Sequence, residues 1–389
     1  MLTRSIIPTL QRLAASFPVL AMTGPRQSGK TTLARAQFAD KPYVSLEDPV
    51  ERAFANEDPR GFLARFTQGA VFDEAQRWPD LFSHLQGMVD TDRQPGRFIL
   101  TGSQQFGLLA GVTQSLAGRV GMTRLLPLAA TEIPAVANRL LSLDGLMLKG
   151  GYPALHTQPV EPADWFASYI ATYVERDVRQ VLNIQNLPSF QRFLRLCAGR
   201  TGQLLNITAL ASEAGITANT AKSWLAVLES SDLIHLLPPY FRNFGKRLVK
   251  MPKLYFLDTG LACWLLGIRN EDVLALHPLR GALFENWVIS EFIKARYNLR
   301  QPADLYFWRD NNGLEADLIF EQDNRLQMVE IKSGQTITSD TIRAGQRATR
   351  MAEDEALMPW LIYGGDESHE RSGVKIFGWR DFHAAIKQA

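Results

Sequence analysis

The chain has 389 residues, 46% hydrophobic and 21% charged, a globular balance that excludes a disordered polymer and is long enough for two or three domains of roughly 100–200 residues. Its formal net charge of +2 excludes a uniformly basic nucleic-acid coat, so any such surface is a local patch. Two cysteines, Cys197 and Cys263, are too few for a disulfide framework, and no Cys/His cluster has zinc spacing.

In chain order, residues 17–22, 42–46, 70–72 and 97–101 read as strands, with amphipathic helices at 31–38 and 81–89 between them. That alternation predicts an α/β fold around a parallel sheet. Helical periodicity dominates from 131 to 196. Short helices follow from Asn206, then a strand pair around Pro238-Pro239. The last third returns to mixed structure, with an apolar helix over 284–293 and strands at 305–308, 316–321 and 326–332. There is no signal-peptide pattern and no apolar run of the ~18 residues a spanning helix needs, so a cytoplasmic protein without membrane contact is expected.

Gly24-Pro25-Arg26-Gln27-Ser28-Gly29-Lys30-Thr31 matches G-x-x-x-x-G-K-[ST] at every defined position, between a strand and a helix. Glycines at 24 and 29 let the backbone turn its N–H groups toward phosphates, and the helix start that continues through Thr32 adds partial positive charge. Lys30 is placed to reach the β- and γ-phosphates of ATP, and the Thr31 hydroxyl to join a Mg2+ shell. Ala70-Val71-Phe72-Asp73-Glu74 supplies the acids: Asp73 for the metal shell, and Glu74 as the base that polarises water. The second acid points to hydrolysis rather than binding alone. The strand at 97–101 ends in Thr101-Gly102-Ser103, where Ser103 or Thr101 can sense the γ-phosphate.

Residues 206–237 have helix-turn-helix grammar, with a first helix over 207–214, a turn at Gly215 and a second helix over 217–229. Asn219, Thr220, Lys222 and Ser223 then face outward, suited to phosphate or base-edge contact. Between Tyr240 and Leu257 lie Arg242, Lys246, Arg247, Lys250 and Lys253 with no acid among them, interleaved with Tyr240, Phe241 and Phe244. Such a wing suits a DNA backbone. A connector to a protein partner is the other reading.

Together "TGPRQSGKTTL", "VFDEAQRWPDLF", "FILTGSQQF", "LAGRVGMTRLLPLAATE", "GGYPAL" and "YVERDV", continued by "KMPKLYFLDTGLACWLLG", "GALFENWVISEF", "GLEADLIF" and "VEIKSG", resemble a bacterial and archaeal group of AAA-type ATPases carrying a C-terminal domain of unknown function 4143. The resemblance implies an AAA core over 1–135, a helical lid over 136–200, a winged helix-turn-helix over 201–260 and a restriction-endonuclease-like domain over 261–389. It also implies a homo-oligomer, ring or partial ring, in which an arginine of one subunit completes the neighbour's site. Arg119 and Arg176 are the candidates, each with an alternative as a surface charge or intrachain ion pair.

Restriction-endonuclease-like sites join an Asp on one strand to a Glu-x-Lys on its hairpin partner. Asp317 and Glu330-Ile331-Lys332 match that pattern, with Glu330 and Lys332 on one strand face. Glu285 completes a quartet in which Glu285, Asp317 and Glu330 are expected to hold Mg2+ or Mn2+ and Lys332 to sit beside the attacking water. Glu315 is either a further ligand or a charged strand start. The leading expectation is a Mg-ATP-hydrolysing ATPase acting on DNA with a nuclease-like C-terminal domain. Its first rival is an ATP-dependent assembly switch that binds a protein partner and carries an inactive nuclease fold. A polypeptide-threading remodeller is a third, and it is disfavoured because the stretch where its pore loop would fall offers Phe54 and Phe62 without an aromatic-glycine pore signature.

Overall fold

A computed structural model describes residues 2–103, 115–174, 186–240, 250–309, 314–349 and 356–386. They form two units: Met1–Leu128 with Ser230–Asp232 and Arg296–Gln301, and Ala129–Glu229 with Leu233–Ala295 and Pro302–Ala389.

The first unit is built on five strands: β1 (Val19–Thr23), β2 (Tyr43–Ser45), β3 (Ala70–Asp73), β4 (Phe98–Thr101) and β5 (Val120–Arg124). They are ordered β2-β3-β4-β1-β5, every neighbouring pair parallel. All residues of β1, β3 and β4 are buried, which is why these strands read as continuous apolar runs. Period two divides them between two cores. Val19, Ala21, Ala70, Phe72, Phe98 and Leu100 pack on one face of the sheet. Leu20, Met22, Val71 and Ile99 pack on the other, against the helices Ile7–Ser16 and Lys30–Gln37. Because the strands are parallel, the carboxyl ends of β1, β3 and β4 open on one edge, and Gly24, Glu74 and Ser103 follow them there. Phe62 is fully buried in this core and packs edge-on against Phe54 with centroids 5.7 Å apart. The Phe62 ring is therefore taken up by packing, while Phe54 remains 37% exposed.

In the second unit the helices Leu143–Lys149, Pro162–Tyr169 and Leu187–Ala198 precede Ile207–Ala214 and Ala218–Ser230. Gly215 turns between the last two at φ 72°, a left-handed conformation that favours glycine. A two-stranded antiparallel sheet follows, β6 (Ile234–Leu237) with β7 (Lys253–Phe256). After the 20-residue helix Arg280–Leu299 comes a mixed six-stranded sheet ordered β12-β13-β11-β10-β9-β8. Its strands are β8 (Tyr306–Arg309), β9 (Glu315–Gln322), β10 (Arg325–Lys332), β11 (Trp360–Tyr363), β12 (His369–Arg371) and β13 (Val374–Gly378). The β9–β10 hairpin pairs Leu318 with Val329, which brings Asp317 and Glu330 side by side.

Candidate functional site

The loop after β1 has the backbone that phosphate binding requires. Gly24 sits at φ 143°, and a Cβ there would lie 2.1 Å from the Leu125 carbonyl oxygen, so glycine is obligatory. Gln27 and Gly29 also have positive φ, at 56° and 95°. Pro25 and Ser28 are buried, Arg26 is half-buried, and Gln27 and Thr32 are exposed. Ser28 is fully buried and its Oγ has no hydrogen-bond partner among the described residues, as expected of a polar atom waiting for a ligand. Arg4, which the sequence did not single out, braces the loop by donating to the Ser28 carbonyl at 2.9 Å and the Leu126 carbonyl at 2.6 Å.

Lys30 opens the helix and is buried, its Nζ donating to the carbonyls of Gly24 at 2.9 Å and Pro25 at 2.8 Å. Burial pushes the ammonium down to about 8, against the opposing pull of Glu74 and Asp73. The Thr31 hydroxyl donates to Asp73, 3.0 Å from Oδ1 and 2.9 Å from Oδ2. Asp73 also accepts from the hydroxyls of Tyr43, at 2.7 Å, and Thr101. Three hydroxyls therefore fix one carboxylate. Glu74 sits in the left-handed region at φ 53°, which turns its side chain out of the strand. Its Oε2 accepts from Ser103 Oγ at 2.9 Å and from Gln76 Nε2. The two sensor candidates thus divide their work: Thr101 orients Asp73, and Ser103 orients Glu74. Oxygen donors at Thr31 and Asp73 are the kind Mg2+ takes, so these residues fit the ion that a P-loop employs.

Arg119 has an intrachain partner. Its Nε is 2.6 Å from one oxygen of Asp90 and its second guanidinium nitrogen 2.9 Å from the other. This bidentate pair is the intrachain ion pair that stood as the alternative to a finger role for Arg119. Arg176, the second finger candidate, and the wing residues Arg242, Lys246 and Arg247 lie outside the described residues.

The C-terminal quartet comes together, with company. Ile331 N–H donates to Asp317 Oδ2 at 2.8 Å, and Lys332 Nζ lies 2.6 Å from Glu330 and 3.6 Å from Asp317. Glu285, on the long helix, accepts from Lys253 Nζ at 3.0 Å and from the Tyr255 hydroxyl. Lys253 also pairs with Glu315, which Arg309 approaches at 3.3 Å. Asn286 fastens β7 to that helix, with Nδ2 donating to the Phe256 carbonyl and Phe256 N–H to Oδ1, both at 2.7 Å. Burial and the adjacent Asp317 push the carboxyls of Glu285 and Glu330 up to about 7. Burial opposes the ammonium of Lys253, yet Glu285, Asp317 and Glu315 raise it above the ordinary lysine value. Among the described residues no three His, Cys, Asp or Glu side chains are grouped to hold a metal ion. The Mg2+ or Mn2+ expected on Glu285, Asp317 and Glu330 would have to displace lysines and a tyrosine from one oxygen of each: Lys253 and Tyr255 hold Glu285 Oε1, and Lys332 holds Glu330 Oε1 and approaches Asp317 Oδ2.

Two residues expected in the basic wing are elsewhere. Lys253 is only 3% exposed, inside the acidic cluster. Tyr240 is buried, its N–H donating to the Phe307 carbonyl at 2.7 Å and its hydroxyl to Glu321 at 2.9 Å. On the second helix Asn219, Lys222 and Ser223 are exposed, as is Lys250 beyond it. The Thr220 hydroxyl is instead hydrogen-bonded at 2.8 Å to that of Thr217, whose oxygen also caps Thr220 N–H at 3.1 Å. Among the described residues no helix is long and apolar enough to cross a membrane.

Three family profiles match the chain. An AAA-domain family profile matches residues 16–134, a domain of unknown function 8612 matches 141–272, and the domain of unknown function 4143 matches 280–382. The uncharacterized protein Rv2008c of Mycobacterium tuberculosis is 35% identical over 337 residues, covering 86% of this chain and 74% of that protein. The Mycobacterium bovis protein Mb2031c matches equally, at 35% and the same coverage. Among solved structures, the Walker-type ATPase PABY2304 of Pyrococcus abyssi is 14% identical with a TM-score of 0.44, covering 67% of this chain and 94% of that one. A RuvB variant of Thermotoga maritima is 18% identical with a TM-score of 0.29, covering 60% and 86%. Overlaps so partial add nothing to the site. The P-loop geometry, the matched domains and the mycobacterial relatives carry the assignment: the chain belongs to the family of AAA-domain P-loop ATPases with a C-terminal domain of unknown function 4143.

Proposed function

We propose that the protein hydrolyses ATP and couples the hydrolysis to work on DNA. The observation that carries the first half is the pair of braced carboxylates at the end of β3: Asp73 fixed by Thr31, Tyr43 and Thr101, and Glu74 fixed by Ser103 and Gln76. Lys30 exchanges the loop carbonyls it now holds for phosphate oxygens. Glu74 takes a proton from water as the water oxygen attacks the γ-phosphorus, the bond to the β,γ-bridging oxygen breaks, and ADP and phosphate leave. Mg2+, held through Thr31 and Asp73 when bound, neutralises charge on the phosphate oxygens. Positioning and electrostatics supply the catalysis, and both rest on side chains already held in place.

The exposed polar face of Ala218–Ser230 and the cationic segment that begins beyond Tyr240 support the DNA half of this reading. A winged helix would place that helix against the duplex and the wing along the backbone. Assembly into a homo-oligomer and a cytoplasmic setting belong to the same reading, and both cysteines are buried and free, as a reducing compartment allows. The test is ATP turnover with and without duplex DNA, at low and moderate salt. Stimulation by DNA that fades with salt supports the coupling, and a rate indifferent to DNA refutes it.

One observation favours a second reading, the ATP-dependent switch that binds a protein partner. Lys332 is paired with both Glu330 and Asp317, so the Glu-x-Lys element is closed on itself. In that reading the C-terminal domain is a scaffold, and ATP state governs assembly.

A further inference from the structure

We infer that Lys253, together with Lys332, supplies the positive charge that a divalent cation would bring to Glu285, Glu315, Asp317 and Glu330, so that this cluster is an ion-paired junction closed to metal. This goes beyond the ATPase reading and does not depend on it.

The geometry of the ammonium is the starting point. Lys253 is 3% exposed, and its Nζ lies 3.0 Å from Glu285 on the long helix while also pairing with Glu315 at the start of β9. One buried charge thereby bridges two elements, as a metal ion would. The remaining acids are also matched. Lys332 holds Glu330 at 2.6 Å and Asp317 at 3.6 Å, Ile331 N–H donates to Asp317, and Arg309 reaches Glu315 at 3.3 Å. Four carboxylates meet three cations, which leaves a net charge of about −1 where the bare cluster would carry about −4, and weakens the pull on an ion in water.

Lys253 is also held where it is. Its strand is tied to the long helix by the two hydrogen bonds of Asn286, and its own backbone bridges to Leu204. The neighbouring Tyr255 hydroxyl donates to the same Glu285 oxygen. Withdrawing the ammonium would leave half-buried Glu285 with only the Tyr255 hydroxyl and half-buried Glu315 with only Arg309, a penalty no surface lysine faces. An ammonium donates hydrogen bonds but, unlike a metal ion, cannot coordinate a water oxygen and lower that water's pKa. The cluster therefore joins β7, the helix Arg280–Leu299 and the β9–β10 hairpin, and does so without generating hydroxide.

The test uses the full-length, nucleotide-free protein carrying Asp73→Asn, so that the P-loop contributes no metal site, titrated with Mn2+ and followed by the electron paramagnetic resonance of the free ion. The expected result is no uptake at millimolar Mn2+. Uptake of one equivalent, abolished by adding Asp317→Asn, overturns the inference. In the same background Lys253→Met is expected to lower the melting temperature and to let Mn2+ both bind and restore part of the loss. A folded Lys253→Met protein that ignores Mn2+ overturns the claim that the lysine stands in for the ion. If Lys253→Met does not fold, the uptake measured on the parent and on Lys253→Arg, expected to be nil for both, decides the matter alone.

Discussion

The Thr31 hydroxyl at the first turn of its helix stands 2.9 Å from Oδ2 of Asp73, although β4 lies between the strands that carry the two residues to the site. This contact defines the nucleotide site more closely than either motif does. Replacing Thr31 by Ala removes both a donor to Asp73 and an oxygen for Mg2+. ATP turnover is expected to fall by at least tenfold, with a raised Mg2+ requirement, because a hydrogen bond to a charged group is worth about 1.5–3 kcal/mol. A magnesium titration of the ATPase rate checks this, and an unchanged midpoint would contradict it.

Tyr43 gives a second, independent handle. Its hydroxyl donates to Asp73 at 2.7 Å, and burial together with that carboxylate raises the phenol above its ordinary value, so it stays protonated and donating. Tyr43→Phe keeps the ring and loses the bond. The expected outcome is a several-fold fall in kcat with the melting temperature nearly unchanged, read by steady-state kinetics beside a thermal melt. Equal losses of stability and activity would make Tyr43 a packing residue only.

The nucleotide site was legible in the sequence because its information is local: eight consecutive residues fix the loop, and one apolar run announces Asp73 and Glu74. Tyr43 and Arg4 were not legible, since nothing about a tyrosine in a three-residue strand or an arginine before the first helix marks it as a partner of residues far along the chain. β5 was missed because its buried and half-buried positions alternate through a polar-looking Val-Gly-Met-Thr-Arg run. β11, β12 and β13 are short, and their pairing depends on the sheet already begun by β10. Lys253 carries the clearest lesson. In a stretch without acids it reads as one more backbone-binding cation, and only the arrival of Glu285 and Glu315 from later elements turns it inward.

A buried polar knot elsewhere predicts the acid limit of the fold. Glu291 is 2% exposed and accepts from Ala130 N–H at 2.8 Å, His383 Nε2–H at 2.9 Å and Lys294 Nζ at 2.8 Å. Burial alone would raise this carboxyl, but Lys294 and His383 override it and hold it at about 2, below the ~4.3 of a free glutamate. A depressed folded value means that its stabilisation is complete above about pH 4 and is lost as pH falls toward 2. Glu291→Gln is expected to cost about 3–5 kcal/mol at neutral pH, as breaking one side of a buried pair does, and to flatten the loss of stability between pH 4 and 2. Denaturant melts across that range check both parts.

Binding of DNA makes a separate prediction. Lys222 on the helix Ala218–Ser230 and Lys250 beyond it are exposed. Changing both to Glu is expected to weaken duplex binding similarly for unrelated sequences, and to lower the slope of log affinity against log salt by about 1 for each phosphate that is no longer neutralised. Fluorescence anisotropy at several salt concentrations provides the measurement, and a slope equal to that of the parent would remove these residues from the interface.

The central claim is that Glu74, held by Ser103 at 2.9 Å beside the braced Asp73, is the base that activates water on ATP. The most direct measurement is single-turnover hydrolysis of radiolabelled ATP by Glu74→Gln, with nucleotide affinity measured on the same preparation. The account predicts ATP bound as tightly as by the parent while the chemical step slows by about 10²-fold or more. Hydrolysis at the parental rate would contradict it.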